Sequence, residues 1–406
     1  MKSKWFAMSL LVLTAGGIAL YPSMKNWAAR VEAPIPSTLE TRPELLPGML
    51  HKPTVEVVFA LDTTGSMGGL IRAAREKIWS IATTLAQAQP APEIRMGLVA
   101  YRDRGDAYVT QVVDLTSDLD AVYSRLMALR AEGGGDGPES VNQALADAVG
   151  GISWSQDPNA YKVIFLVGDA PPHMDYLDDV KYPRSLEQAR SRGIVVNAIL
   201  AGESQETRQV WQTIAQSGGG QYAQVGQSGD AVAIATPYDD RLAELSAELD
   251  ATRLYYGSAE ERSRREQKLT TAKQLHEAAS VASRARRATF NATASGEVNL
   301  LGEGELVDDV SQGRVKLEEL PPEVLPAPLQ GLGAEAQQTL IQDSAQRRDQ
   351  LNREIRQLAD ERAAYLRDRV EAEGGAPASL DHKLYEAIQA QGRVKGMQYE
   401  AGALAY

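Results

Sequence analysis

Cysteine is absent from the 406 residues, which excludes disulfides, thiol chemistry, thiolate metal sites and attachment through a lipidated cysteine. Histidine is scarce: His51, His173, His276 and His382. No Gly-x-x-x-x-Gly-Lys phosphate loop and no Gly-x-Ser-x-Gly nucleophile elbow occurs. A basic excess is lacking too. The net charge is −12 and the pI is near 5.0, so there is no footprint for nonspecific nucleic-acid binding. What is present is a globular composition, 43% hydrophobic and 24% charged, over more residues than one typical domain needs.

Lys2 and Lys4 precede an uncharged run from residue 5 to 24. Its apolar heart, 6–21, reads as a signal peptide, with Gly17-Ile18-Ala19 as a tolerable cleavage site. Left uncleaved, the same run is just long enough to anchor the chain in a bilayer. Residues 25–52 form a proline-containing spacer. Either way the rest of the chain is expected outside the cytoplasm, in a periplasmic or extracellular setting.

The most informative segment is Asp62-Thr63-Thr64-Gly65-Ser66, directly after the apolar run 55–61. It places one carboxylate and two hydroxyls at alternate positions where a buried strand ends. In open α/β sheets, ligands bind beyond the carboxyl ends of strands. Oxygen-only donors suit a hard cation such as Mg²⁺. A strand end leading into a helix cap is the plainer reading of the same residues. Three further segments add weight. Residues 93–103 read as a strand ending in Asp103, 133–140 as a glycine loop opening a helix, and 161–169 as a buried strand capped by Asp169. Four acid-bearing loops would then meet on one rim.

Together these segments resemble the von Willebrand factor type A (VWA) fold and its metal-ion-dependent adhesion site, over about residues 53–225. Asp62, Thr64 and Ser66 match the family's Asp-x-Ser-x-Ser motif, and Asp169 matches its later Asp. The third loop lacks the Thr of many members. Its Asp136-Gly137-Pro138-Glu139 is similar to the Asp-x-Pro-Glu of integrin β-subunit domains. The resemblance implies a metal held by Asp62, Thr64, Ser66, Glu139 and Asp169. It also implies a second cation on Asp103, Asp136, the Pro138 carbonyl and Glu139, although Gly134 stands where that family has an Asn ligand. Gly68 and Gly69 replace the acids of a third integrin cation, so none is expected. The ion would be Mg²⁺, Ca²⁺ or Mn²⁺. The extra acid at Glu139 would weaken the ion's pull on acidic partners or favour Ca²⁺. In the family a partner protein's Asp or Glu fills the open position.

Asp-Thr-Thr-Gly-Ser also resembles the phosphorylated loop of P-type ATPases and haloacid dehalogenase-like phosphatases, with Asp62 as nucleophile. Thr63 stands where the P-type Lys would be, and the third loop has no role in that chemistry. An aspartyl-phosphate phosphotransferase is therefore the distant alternative, and no enzymatic activity is expected. His173 lies near Asp169 and reads as a solvated loop histidine, amid the acids Asp175, Asp178 and Asp179.

Apolar residues at helical spacing over 67–87, around 141–149 and at Val210, Ile214 and Ala215 alternate with the strands, and 108–115 reads as a short strand beside 94–101. The expected fold is α/β: a doubly wound, mostly parallel sheet over 53–228, followed by a mainly α-helical region over 229–406. In that second half 260–287 and 343–373 carry narrow apolar stripes, 296–301 looks strand-like, and the proline-rich 320–328 reads as a linker or helix breaker. Leu380, Leu384 and Ile388 suggest a last short helix. Heptads are not sustained, so folding back is favoured over a coiled-coil stalk or oligomerisation arm. The basic clusters at 262–265 and 284–287 read as solvated helix faces.

The sequence thus points to a divalent-cation-dependent protein-binding (adhesion or scaffold) module. The alternative is a structural envelope protein whose helical half acts while the metal only stabilises the fold. A membrane would be contacted through the N-terminal segment, if uncleaved.

Overall fold

The computed structural model describes residues 52–135, 137–229, 234–372 and 380–399. The N-terminal segment and spacer read from the sequence, and Asp136, lie outside them. Among the described residues no helix is long and apolar enough to cross a membrane.

In chain order the first elements are β1 (Thr54–Asp62), α1 (Gly68–Ala86), β2 (Glu93–Tyr101), β3 (Thr110–Thr116), α2 (Leu119–Ala128), α3 (Val141–Gly150), β4 (Tyr161–Gly168), α4 (Tyr182–Ser191), β5 (Ile194–Ala201), α5 (Gln205–Ser217) and β6 (Gly219–Val225). The strands form one sheet in the order β3-β2-β1-β4-β5-β6. All neighbours are parallel except β3, which runs antiparallel against β2 at one edge. β1 and β4 read as near-continuous apolar runs because both of their faces are covered. Val55, Val57 and Leu61 pack toward α1 and α2, while Val58 and Ala60 pack with residues of α3 and α5. Glu56 is buried within β1, where it pairs with Arg95 at 2.8 Å and accepts from the Ser155 N–H at 3.0 Å. Asp62 pairs with Tyr101, and Leu61 pairs with both Ala100 and Val167. Three central strands therefore end level, and their loops share one rim.

The helical half comprises α6 (Asp239–Asp250), α7 (Ala259–Ala278), α8 (Val281–Asn291), α9 (Glu297–Leu301), α10 (Leu306–Ser311), α11 (Ala334–Ala372) and α12 (Leu380–Val394). It folds back, as favoured: α11 packs on α6, α8 and α10. Residues 296–301 are not a strand. They enter α9, whose Asn299 Oδ1 accepts from the first two N–H groups of α2, those of Leu119 and Asp120, at 2.7 and 3.2 Å. The proline-rich stretch is packed, with Leu325 and Leu329 buried beside Ile341 of α11. Arg286 and Arg287 are not solvated; both are buried. The run 260–287 breaks at Ser280, which caps α8 by accepting from the Ser283 N–H at 3.1 Å.

Residues 52–406 form one compact unit. The boundary at 228 therefore falls inside a shared core. Leu380, Leu384, Ala387, Ile388, Met397 and Tyr399 join Val55, Ile81 and Val163 in one apolar cluster. Gln391 of α12 accepts from the Tyr161 hydroxyl at 2.8 Å and donates to Asn197 at 2.7 Å. Gln398 bridges to Gln89. The helix that closes this face of the sheet comes from the far end of the chain. Leu384→Ala is accordingly expected to cost about 2–5 kcal/mol, as for a core leucine, and chemical denaturation reads this directly. A cost under about 0.5 kcal/mol, as for a surface site, would mean that α12 is not part of the core.

Candidate metal centre

The first loop folds onto itself. Asp62 Oδ1 accepts from the Thr64 N–H at 2.8 Å and from the Thr64 hydroxyl at 2.7 Å, and the Thr64 and Ser66 hydroxyls lie 3.5 Å apart. Asp62 is fully buried, and its Oδ2 has no hydrogen-bond partner. Thr63, between the candidate donors, is structural: its hydroxyl bonds Tyr101 O at 2.8 Å and the Tyr108 hydroxyl at 2.7 Å.

The third loop is pinned to the first by backbone bonds from Gly65 N to Gly133 O at 3.1 Å and from Glu132 N to Thr63 O at 3.1 Å. Gly133 and Gly134 both have positive φ, 81° and 76°. A Cβ on Gly133 would run into the Asp106 carboxylate, and one on Gly134 would lie 3.0 Å from Glu139 Oε1 and 3.3 Å from Thr64 Cβ. Glycine therefore lets Glu139 approach the first loop. Glu139 is held by its backbone: its N–H donates to Pro171 O at 2.9 Å, and its carbonyl accepts from the His173 N–H at 3.1 Å. Its Oε2 is buried and has no hydrogen-bond partner. Asp169 is half-buried, and its Oδ2 accepts from Gln227 Nε2 at 2.7 Å.

Two of these acids are unsettled as anions. Burial, and then the charge of Asp169, pushes the Asp62 carboxyl up to about 7 against the Thr64 hydrogen bonds. Burial pushes Glu139 up to about 9, followed by repulsion from Asp62, Asp103, Asp106 and Asp169. A divalent cation would remove that penalty. Two unpartnered buried carboxylate oxygens and two hydroxyls are the hard-oxygen donor set such an ion takes, so the residues fit it. Among the described residues no three His, Asp or Glu side chains are already arranged to hold a metal.

Of the residues expected at a second cation, Asp103 is already hydrogen-bonded through both carboxylate oxygens, and Asp136 lies outside the described residues. Asp103 Oδ1 accepts from the Ser140 hydroxyl and Oδ2 from the Tyr176 hydroxyl, both at 2.8 Å. His173 is not a solvated histidine. It is buried, stacked on Tyr176 with ring centroids 4.0 Å apart, and has Nε2 3.4 Å from Asp103. Pro138 is half-buried just before Glu139.

Sequence reasoning missed two residues here. Asp106 ties the second loop to the third by accepting from the Asp103 and Gly134 N–H groups at 3.1 and 3.0 Å. The turn Arg104-Gly105 ahead of it is the only local signal. Gln227 reaches across from the loop after β6 to Asp169 and to Ser66 O.

A doubly wound sheet whose strand ends stop level and gather their loops on one rim is the frame of an open α/β module. Residues 56–237 match the family model described as von Willebrand factor A domain, so that stretch of the chain carries a VWA domain. It is 38% identical over 93 residues to von Willebrand factor A domain-containing protein 7 of Rattus norvegicus, a match covering 23% of this chain and 10% of that protein. It is 26% identical over 125 residues to an ariadne-like RING finger protein of Acanthamoeba polyphaga mimivirus, covering 31% and 12%. The matches thus span about a tenth of the length of these relatives. Among solved structures, proximal thread matrix protein 1 from the mussel byssus, with a zinc-occupied MIDAS motif, aligns over 43% of this chain and 42% of that one, at 15% identity and a TM-score of 0.34.

Proposed function

We propose that the chain is a divalent-cation-dependent protein-binding module. Asp62, Thr64, Ser66, Glu139 and Asp169 hold one ion, Mg²⁺ or its relatives Ca²⁺ and Mn²⁺, and an Asp or Glu of a partner protein completes the coordination. One observation carries this: the buried, unpartnered oxygens of Asp62 and Glu139 at the sheet rim. The ion supplies a positive centre for an anionic side chain. The chain's residues orient it, through the Thr64 bonds to Asp62 and the backbone clamp on Glu139. The reading uses one ion, because both Asp103 oxygens already accept hydrogen bonds. The uncharged run 5–24 supports export, with work outside the cytoplasm and an optional N-terminal anchor.

Calorimetry with Mg²⁺, Ca²⁺ and Mn²⁺ on residues 50–406 tests the site. Binding is expected in wild type, at least tenfold weaker in Glu139→Ala and lost in Asp62→Ala. No binding at millimolar ion would overturn the reading. Partner capture lost in Asp62→Ala with the fold intact favours adhesion. Loss of fold alone favours the alternative in which the ion only stabilises the sheet.

A further inference from the structure

The loop between β4 and α4 turns His173, Tyr176 and the Asp179 side chain inward and Met174, Leu177 and Val180 outward. Met174 is 50% exposed, Leu177 95% and Val180 46%. Single exposed apolar side chains are ordinary, but these three share one braced loop. Buried Asn142, in the first turn of α3, clamps both of its ends: Nδ2 donates to His173 O at 2.6 Å, and Oδ1 accepts from the Tyr182 N–H at 2.8 Å. Tyr176 points in, stacked on His173, bonded to Asp103 and covered by the Arg104 guanidinium at 4.2 Å. Arg104 also pairs with Asp178 at 2.9 Å and Asp179 at 2.5 Å, and Lys181 donates to Tyr176 O. A loop fixed this firmly presents Leu177 with little left to order on binding.

We propose that loop 173–182 is a second contact for the same protein partner that meets the ion, reading an apolar side chain with a basic neighbour. The partner's apolar group packs on Leu177 between Met174 and Val180. Its Lys or Arg faces the outer oxygens of Asp175 and Asp178, whose Oδ1 atoms pair with His173 at 2.8 Å and Arg104 at 2.9 Å while the side chains stay 73% and 76% exposed on either side of Leu177. The loop is continuous with the metal centre, because the Glu139 backbone pairs with Pro171 and His173. A partner that places a carboxylate on the ion therefore comes up against the loop. The same two acids disfavour an anionic membrane surface as the occupant. The partner segment thus carries an Asp or Glu together with an apolar–basic pair. This rests on the function proposed above.

The test pans a displayed random dodecapeptide library on the full chain in Mg²⁺ and measures the selected peptides by fluorescence anisotropy. Peptides with an acid and an apolar–basic pair are expected, bound at least tenfold more weakly by Leu177→Ser while its Mg²⁺ affinity and melting temperature stay at wild-type values. Peptides that need Mg²⁺ but ignore Leu177→Ser and Met174→Ser would overturn the loop proposal and leave the ion site standing. Peptides lost in Leu177→Ser yet indifferent to chelator and to Asp62→Ala would overturn the ion reading and, with it, the shared partner. Recovery of no Mg²⁺-dependent peptide, or wild-type self-association that Leu177→Ser abolishes, would also overturn the proposal, the latter in favour of a second copy of the chain.

Discussion

Stripped of divalent ions, the protein is expected to lose stability as pH rises from the ordinary carboxylate range toward 9. Asp62 is held protonated from its ordinary 3.8 up to about 7, and Glu139 from 4.5 up to about 9. Across that window the unfolded chain has released protons that the folded chain retains. The folded pKa values are raised, so stability is fully present below the unfolded values and falls as pH climbs through the folded ones. For the fully buried Asp62 alone the loss amounts to roughly 4 kcal/mol. A bound cation reverses the logic, because the ion favours ionised ligands and its uptake releases protons. At a hundredfold excess over its dissociation constant it adds about 2.7 kcal/mol. Urea midpoints at pH 5, 7 and 9, with chelator and with Mg²⁺, should therefore diverge as pH rises. Asp62→Asn should flatten the metal-free slope and abolish the gain from Mg²⁺. An unchanged slope in that variant would show that the buried carboxyl is not the source.

Arg287→Met is expected to destabilise the protein by about 3–5 kcal/mol, the usual cost of leaving a buried ionic partner unpaired. The Arg287 guanidinium donates to Asp120 of α2 at 2.6 and 2.7 Å and to Asp250 of α6 at 2.8 and 3.1 Å. Asp250 keeps Arg253 at 2.9 Å and His276 at 2.7 Å, whereas Asp120 retains only Lys268 at 4.0 Å. Asp120 is thus the group left exposed to the penalty. Adding Asp120→Asn should recover a large part of the loss, and the double-mutant cycle measures that coupling. The pair joins the helical half to the sheet, so hydrogen exchange in α6 and α8 should rise well before exchange in β1. No recovery in the double variant would mean that the loss came from packing around the arginine stem.

β1, β2 and β4 were legible because buried parallel strands write themselves as near-continuous apolar runs, and the first loop because its donors are close in sequence, whereas the edge strand β6 was not read. What lay elsewhere in the chain was not. Arg287 meets Asp120 across 167 residues, and the Glu residues near it in sequence suggested a solvated face. His173 is buried by a ring three places on and an acid from the loop after β2, neither of which a local pattern encodes. Gln227 carries no signal at all until the sheet brings β6 beside β5. The spacing of Leu380, Leu384 and Ile388 announced a helix but not the surface it covers.

That last helix sets the order in which the molecule can be completed. Gln391 meets Tyr161 across 230 residues, a long loop to close before the contact is gained. During vectorial synthesis, the sheet face over Val55 and Val163 stays wet and adhesive until residues 380–399 have emerged. The unfinished chain is then the kind of species that chaperones hold. Completion of this core therefore waits on residues 380–399.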